Sequence, residues 1–113
     1  MLLSETASCE WLQKLRKVHL IRKETIEAYA EKTARSKCSF KVWLTVVKFA
    51  DWQTPEAIKD TFGAADLLGN GTNRIVFDIG GNYYRMICKY AFGKNQVHLF
   101  VCWIGAHAEY VKL

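Results

Sequence analysis

Apolar positions in the first half of the chain recur at helical spacing. Over residues 23–34, Ile26, Tyr29, Ala30 and Thr33 share one face, while Glu27 and Glu31 fall on the other beside Lys23 and Arg35. Over residues 39–50, Phe40, Trp43, Leu44 and Val47 form a second stripe. Both segments are expected to be amphipathic helices. Ahead of them, residues 18–21 form a short apolar run that suits a strand. Residues 8–20 also fit a short helix through Trp11, Leu12 and Leu15, or a loose arm. Further on, Thr54-Pro55-Glu56 has the chemistry of a helix start. A threonine hydroxyl accepts from an otherwise unpaired amide, proline lacks the N–H that the first turn leaves unused, and glutamate complements the positive end of the helix dipole. Gly63 is expected to close this short helix.

The period then changes. Residues 74–79, 83–90 and 97–104 are rich in β-branched and aromatic side chains, with Gly80-Gly81-Asn82 and Gly93-Lys94-Asn95 between them. Glycine and asparagine tolerate the positive φ that tight hairpins need, so three consecutive antiparallel strands are expected. A helical half followed by a strand half is an α+β layout, with helices on one face of a twisted sheet. Side chains alternate along a strand. In the middle strand Tyr84, Met86, Cys88 and Tyr90 are expected to meet the helices, and Tyr83, Arg85, Ile87 and Lys89 to line the other face. Arg85 and Lys89 then point the same way, about 13 Å apart. Two cations and an aromatic ring on one open face suit a nucleic acid strand; an ordinary solvated face is the alternative.

Composition sets limits on this picture. A chain of 113 residues makes one domain. It is 50% hydrophobic and 13% aromatic, which excludes wholesale disorder. No apolar run approaches the roughly 18 residues of a membrane-spanning helix. Sixteen Lys and Arg against eleven Asp and Glu give a charge of +5, which favours polyanionic partners. The cations are clustered: Lys14, Arg16, Lys17, Arg22 and Lys23 form one acid-free run, and Lys32, Arg35, Lys37, Lys41 and Lys48 a second that ends before Asp51. Among Cys9, Cys38, Cys88 and Cys102 there is no CxxC, and no zinc-like spacing appears with His19, His98 or His107. With no basic segment leading into an apolar stretch at the N-terminus, a reducing cytoplasm is expected, with Cys88 and Cys102 as buried apolar residues on strands. Neither a P-loop, a nucleophile elbow nor HExxH is present, and Gly80-Gly81 joins two strands rather than opening a helix as a phosphate cradle does.

His107 and Tyr110 stand three apart near the C-terminus. On a helical turn or an extended loop they can reach the rim of the open face. Such a His and Tyr, with Arg85 and Lys89, make up a metal-free kit for RNA cleavage. A group must take the proton of the attacking 2′-hydroxyl, another must protonate the departing 5′-oxygen, and a cation must stabilise the crowded phosphorus. Imidazole serves either proton role, and guanidinium matches phosphate oxygens in pairs. A purely structural His and Tyr is the alternative. Asp78 and Glu109 are a conceivable carboxylate pair that nothing in the sequence links.

The segment Arg74-Ile-Val-Phe-Asp-Ile-Gly-Gly-Asn-Tyr-Tyr-Arg85-Met-Ile and the ending Gly105-Ala-His107-Ala-Glu-Tyr110 resemble the HigB toxins of bacterial type II toxin–antitoxin systems. So does Ala50-Asp51-Trp52-Gln-Thr-Pro55 followed by Ala64-Ala-Asp66. The resemblance runs over residues 18–113, leaving residues 1–17 as an N-terminal extension. It implies a RelE-like fold, with an N-terminal strand and helices packed on one face of a curved antiparallel sheet. It also implies an mRNA interferase, an endoribonuclease that acts without a cofactor on messenger RNA at the translating ribosome. The implied partner is a helix-turn-helix antitoxin of the HigA type, through which the toxin would meet operator DNA. Arg85 matches the arginine of the family's Gly-Gly-Asn-x-x-Arg segment, with a role in phosphate stabilisation. His107 and Tyr110 match its His-x-Glu-Tyr ending, with roles in proton transfer and substrate orientation. Lys89, Tyr83, Arg74 and Lys48 are the candidate RNA-binding residues, and Asn82 is a turn residue.

The chain departs from the family at Ala106, where Thr is common, and at Val111, where Asp often follows the Tyr. A toxin-like binding module with a decayed nuclease site, acting only with antitoxin and operator, is therefore the alternative from a different class. A toxin of similar fold that poisons gyrase is a third.

Overall fold

The computed structural model describes residues 17–63, 65–68, 71–81 and 83–113. The expectations for residues 1–16 and for Asn82 lie outside them. The described chain runs β1 (Lys17–Ile21), α1 (Lys23–Lys32), a 3₁₀ turn (Ala34–Ser36), α2 (Lys37–Lys48), α3 (Pro55–Thr61), β2 (Ala65–Leu68), β3 (Arg74–Ile79), β4 (Tyr84–Phe92), β5 (Gln96–Ala106) and α4 (His107–Tyr110). The five strands form one sheet in the order β1-β5-β4-β3-β2. Neighbours are antiparallel except β1, which joins β5 in parallel. A helix continuing to Leu20 is therefore overturned: residues 17–20 are strand, and His19 meets His98 across the β1–β5 pair with 3.2 Å between their Nδ1 atoms.

The helices begin and end where local chemistry lets them. Thr54 Oγ1 accepts from the Ala57 N–H at 3.2 Å and Pro55 opens α3, as the sequence suggested. α1 starts differently. Arg22 takes a left-handed φ of 69° and turns the chain out of β1 without a side-chain cap. Gly80 and Gly81 both carry positive φ, 65° and 61°, at the turn between β3 and β4. A side chain at either position would be strained.

α1, α2 and α3 cover one face of the sheet. Ile26, Phe40, Trp43, Val47 and Ile58 from the helices meet Ile75, Phe77, Met86, Cys88, Val97, Leu99 and Val101 from the strands, all buried. Trp43, Phe62 and Phe77 form a ring cluster with centroids 5.2–5.8 Å apart. Trp52 is buried beside it and donates through Nε1 to Thr61 Oγ1 at 2.9 Å, so the indole leaves no polar atom unpaired. Burying each such ring contributes about 1.5–3 kcal/mol.

One irregularity sets the remaining geometry. Ile87 pairs with Trp103, yet Cys88 pairs with Val101, so Cys102 is an extra residue in β5. This β-bulge reverses the alternation partway along the strand. Val97, Leu99 and Val101 face the helices before it, and Ile104 packs on the same core after it. Cys102 is exposed rather than buried, which corrects the expectation for this residue. The bulge leaves it without a partner in the pairing. Cys88 is buried as expected, and burial, with a smaller push from Cys102, drives its thiol pKa far upward.

Candidate active site on the open face

Because the helices occupy one face, the opposite face of the sheet carries the alternate side chains. The pairing registers set them in rows across the strands. One row is Gly105, Arg85 and Asp78. The next is Trp103, Ile87, Val76 and Asp66. A third is Ile21, Phe100, Lys89, Arg74 and Leu68.

Arg85 is the fixed point of the first row. Its Nη1 is 2.6 Å from Asp78 Oδ1, directly across β3–β4, and both side chains are more than four-fifths buried. At this burial a charge-assisted bond holds a side chain firmly. The guanidinium lies 5.7 Å from the Tyr110 ring centroid, within cation–π range. Tyr110 in turn leans on Trp103, with centroids 6.3 Å apart. The Trp103 indole is folded over Gly105: a β-carbon there would lie 2.5 Å from two of its ring atoms. Glycine at 105 is what lets the indole lie beside Arg85.

α4 is docked by its backbone. The His107 N–H donates to Tyr83 O at 2.9 Å, and Glu109 Oε1 accepts from the Ala106 N–H at 2.9 Å. Ala106 sits at the N-cap but offers no side-chain acceptor. His107 and Tyr110, three apart on this turn, lie on neighbouring positions of one helical face. The His107 side chain is exposed and has no hydrogen-bond partner among the described residues. Asp78 and Glu109 do not act as a carboxylate pair, since Asp78 holds Arg85 and Glu109 holds the α4 backbone.

The sequence-derived site residues therefore divide. Arg85 and Tyr110 are in direct contact, and His107 begins the same turn as Tyr110. Arg74 and Lys89 lie opposite each other on the same sheet face, two rows away. Tyr83 does not join the open face. It precedes the strand, where alternation does not yet hold, and its ring packs under Arg35 of the 3₁₀ turn, 5.7 Å away. Lys48 lies on α2, in the layer on the far side of the sheet, with its Nζ over Phe49. Asp78, Trp103 and Gly105 were missed as site residues. Asp78 was within reach, because counting back from the Gly80-Gly81 turn pairs residue 78 with residue 85. The place of Trp103 depends on the bulge, which leaves no clear mark in the sequence.

A mixed sheet with one helix-covered face, and a C-terminal turn set at the end of its open face, is the α+β architecture expected of a RelE-like fold. Residues 36–113 match the family described as HigB_toxin, RelE-like toxic component of a toxin-antitoxin system, and the chain belongs to that family. A curated relative, the mRNA interferase HigB of Escherichia coli O6:H1, is 32% identical over 96 residues, covering 85% of this chain and 91% of its own. No helix among the described residues is long and apolar enough to cross a membrane.

Proposed function

We propose that this toxin is an mRNA endoribonuclease that cleaves through Arg85, His107 and Tyr110. The observation that carries the reading is Arg85 itself: a mostly buried guanidinium, aimed by Asp78 and touching Tyr110, at the end of the sheet where His107 opens α4. A ribose 2′-oxygen attacks the adjacent phosphorus as the bond to the 5′-oxygen breaks. This leaves a 2′,3′-cyclic phosphate and a 5′-hydroxyl. His107 carries one of the two protons in transit, off the 2′-hydroxyl or onto the 5′-oxygen, the Tyr110 hydroxyl or a solvent water carries the other, and Arg85 stabilises the charge on the phosphorane oxygens. Tyr110 orients the nucleotide over the guanidinium. These side chains supply acid–base and electrostatic catalysis, so the reaction so written needs no metal.

The substrate is messenger RNA on the ribosome. His107 has no described partner to orient it, so a substrate held in place by the ribosome completes the alignment. The neutralising partner is a helix-turn-helix antitoxin of the HigA type, and the complex of the two binds the operator. Translation-coupled cleavage is the test. Arg85→Ala and His107→Ala are each expected to lose about 10²–10⁴-fold in rate. Wild-type rates in both variants overturn the assignment.

One observation favours a binding module with a decayed nuclease: the Arg85 Nη1 is already engaged by Asp78. Induction separates the readings. An active nuclease arrests growth and is rescued by co-expressed antitoxin; folded protein that causes no arrest supports the module.

A further inference from the structure

Two rows away from Arg85, on the same face, cations are set against each other. Arg74 and Lys89 are direct cross-strand partners. Like charges in that position destabilise a sheet. Neither has an ion-pair partner among the described residues, and the other members of their row are Ile21, Phe100 and Leu68. Beside them lies a cavity of about 410 Å³, lined in part by Ile21, Asn73, Lys89, Ala91, His98 and Phe100. It falls within the roughly 300–1,000 Å³ of small-ligand clefts. A third cation meets one of its lining residues: the Arg22 guanidinium sits 4.9 Å above the Phe100 ring. Arg22 is the residue at left-handed φ, a conformation uncommon for arginine, in the bend between β1 and α1. Arg22 over the half-buried ring, Lys89 across the strand from it and Arg74 one strand further, with no acid in the row, are poorly arranged for stability alone. They are well arranged for a phosphate next to a flat, apolar base.

We propose that this row and cavity form a second nucleotide site. The base of a single-stranded RNA residue stacks at Phe100 and Arg22, and its phosphate lies between Lys89 and Arg74. The inference rests on the nuclease reading above and adds where the flanking strand goes. Arg85 and Lys89 are four residues apart on one strand face, about 13 Å. That is further than adjacent phosphates of one strand lie apart and suits a nucleotide once removed from the scissile linkage. The RNA would run along β4, across Ile87 and Trp103, from the scissile linkage at Arg85 to the stacked base at Phe100. The site would then contribute to which sequences are cut.

The test measures binding of short single-stranded oligoribonucleotides to the full chain over a range of salt, beside translation-coupled cleavage. Phe100→Leu is expected to weaken binding about tenfold. The double change Arg74→Gln with Lys89→Gln is expected to lower the slope of log affinity against log salt by roughly 0.7 for each phosphate no longer neutralised. Both should shift the distribution of cut sites. Circular dichroism and Tm confirm folding, and Phe100→Tyr, which keeps the ring, should retain the affinity. If the wild type binds and cleaves while these variants match it in affinity, salt slope and cut sites, the second site is refuted and the nuclease reading stands. If the wild type neither binds nor cleaves RNA, both fall together.

Discussion

At the scale of the residue, the geometry of the open face depends on a side chain that is missing. The Trp103 indole lies where a β-carbon on residue 105 would be, so Gly105 sets the distance between the indole, Tyr110 and Arg85. Gly105→Ala is expected to push the indole outward. Trp103 is only half-buried, so it can move without opening the core. Cleavage should therefore fall at least tenfold while Tm changes by only a few degrees. Parallel activity and melting measurements check the split; a large loss of Tm with an unaltered rate per folded molecule would contradict it. Arg85 shows the complementary logic. Its charge is mostly buried and so needs Asp78, and the same bond fixes the guanidinium's direction on the open face.

At the scale of the element, α4 is the part most open to improvement. It spans only His107–Tyr110, and its N-cap is Ala106, which cannot accept a hydrogen bond through its side chain. Ala106→Thr supplies that acceptor and is expected to stabilise the turn by about 1 kcal/mol, with cleavage unchanged or raised. Denaturant unfolding and a cleavage assay measure the two effects. Most elements were legible because their determinants are local. Residues 74–79 gave β3 to the residue, and the Thr54-Pro55 signal marked the start of α3. β2 was not legible. Ala65–Leu68 is four residues long and becomes a strand only by pairing with β3 at the sheet edge. The site was half legible for the same reason. Arg85, His107 and Tyr110 stood out by chemistry and motif, whereas Trp103 and Phe100 owe their place to a register that only the folded sheet defines.

For the whole molecule, the sheet separates two tasks: one face is core and the other presents the proposed site. Cys88 belongs to the first. It is buried as a neutral thiol whose pKa burial has driven far up. The unfolded chain loses that proton above about pH 8.5 while the native chain keeps it. The contribution is therefore complete below that value and is lost as pH rises, by at most about 1.4 kcal/mol per pH unit. Unfolding free energies from about pH 8 to about pH 10 are expected to fall more steeply for the wild type than for Cys88→Ala. Equal slopes would show that the thiol ionises as easily inside the fold as outside it.

The supernumerary residue at Cys102 has a consequence of its own. Its side chain can be exchanged with little penalty, because it is exposed and outside the pairing. Excising the residue would leave the two faces as they are, because Val101 and Trp103 would then follow one another as Cys88 and Ile87 do on the facing strand. The indole would stay on the open face and Ile104 on the core. What the shortened strand would lose is the bend and added twist of the bulge, so the end of β5 would straighten and carry the last helix to a different place beside the guanidinium.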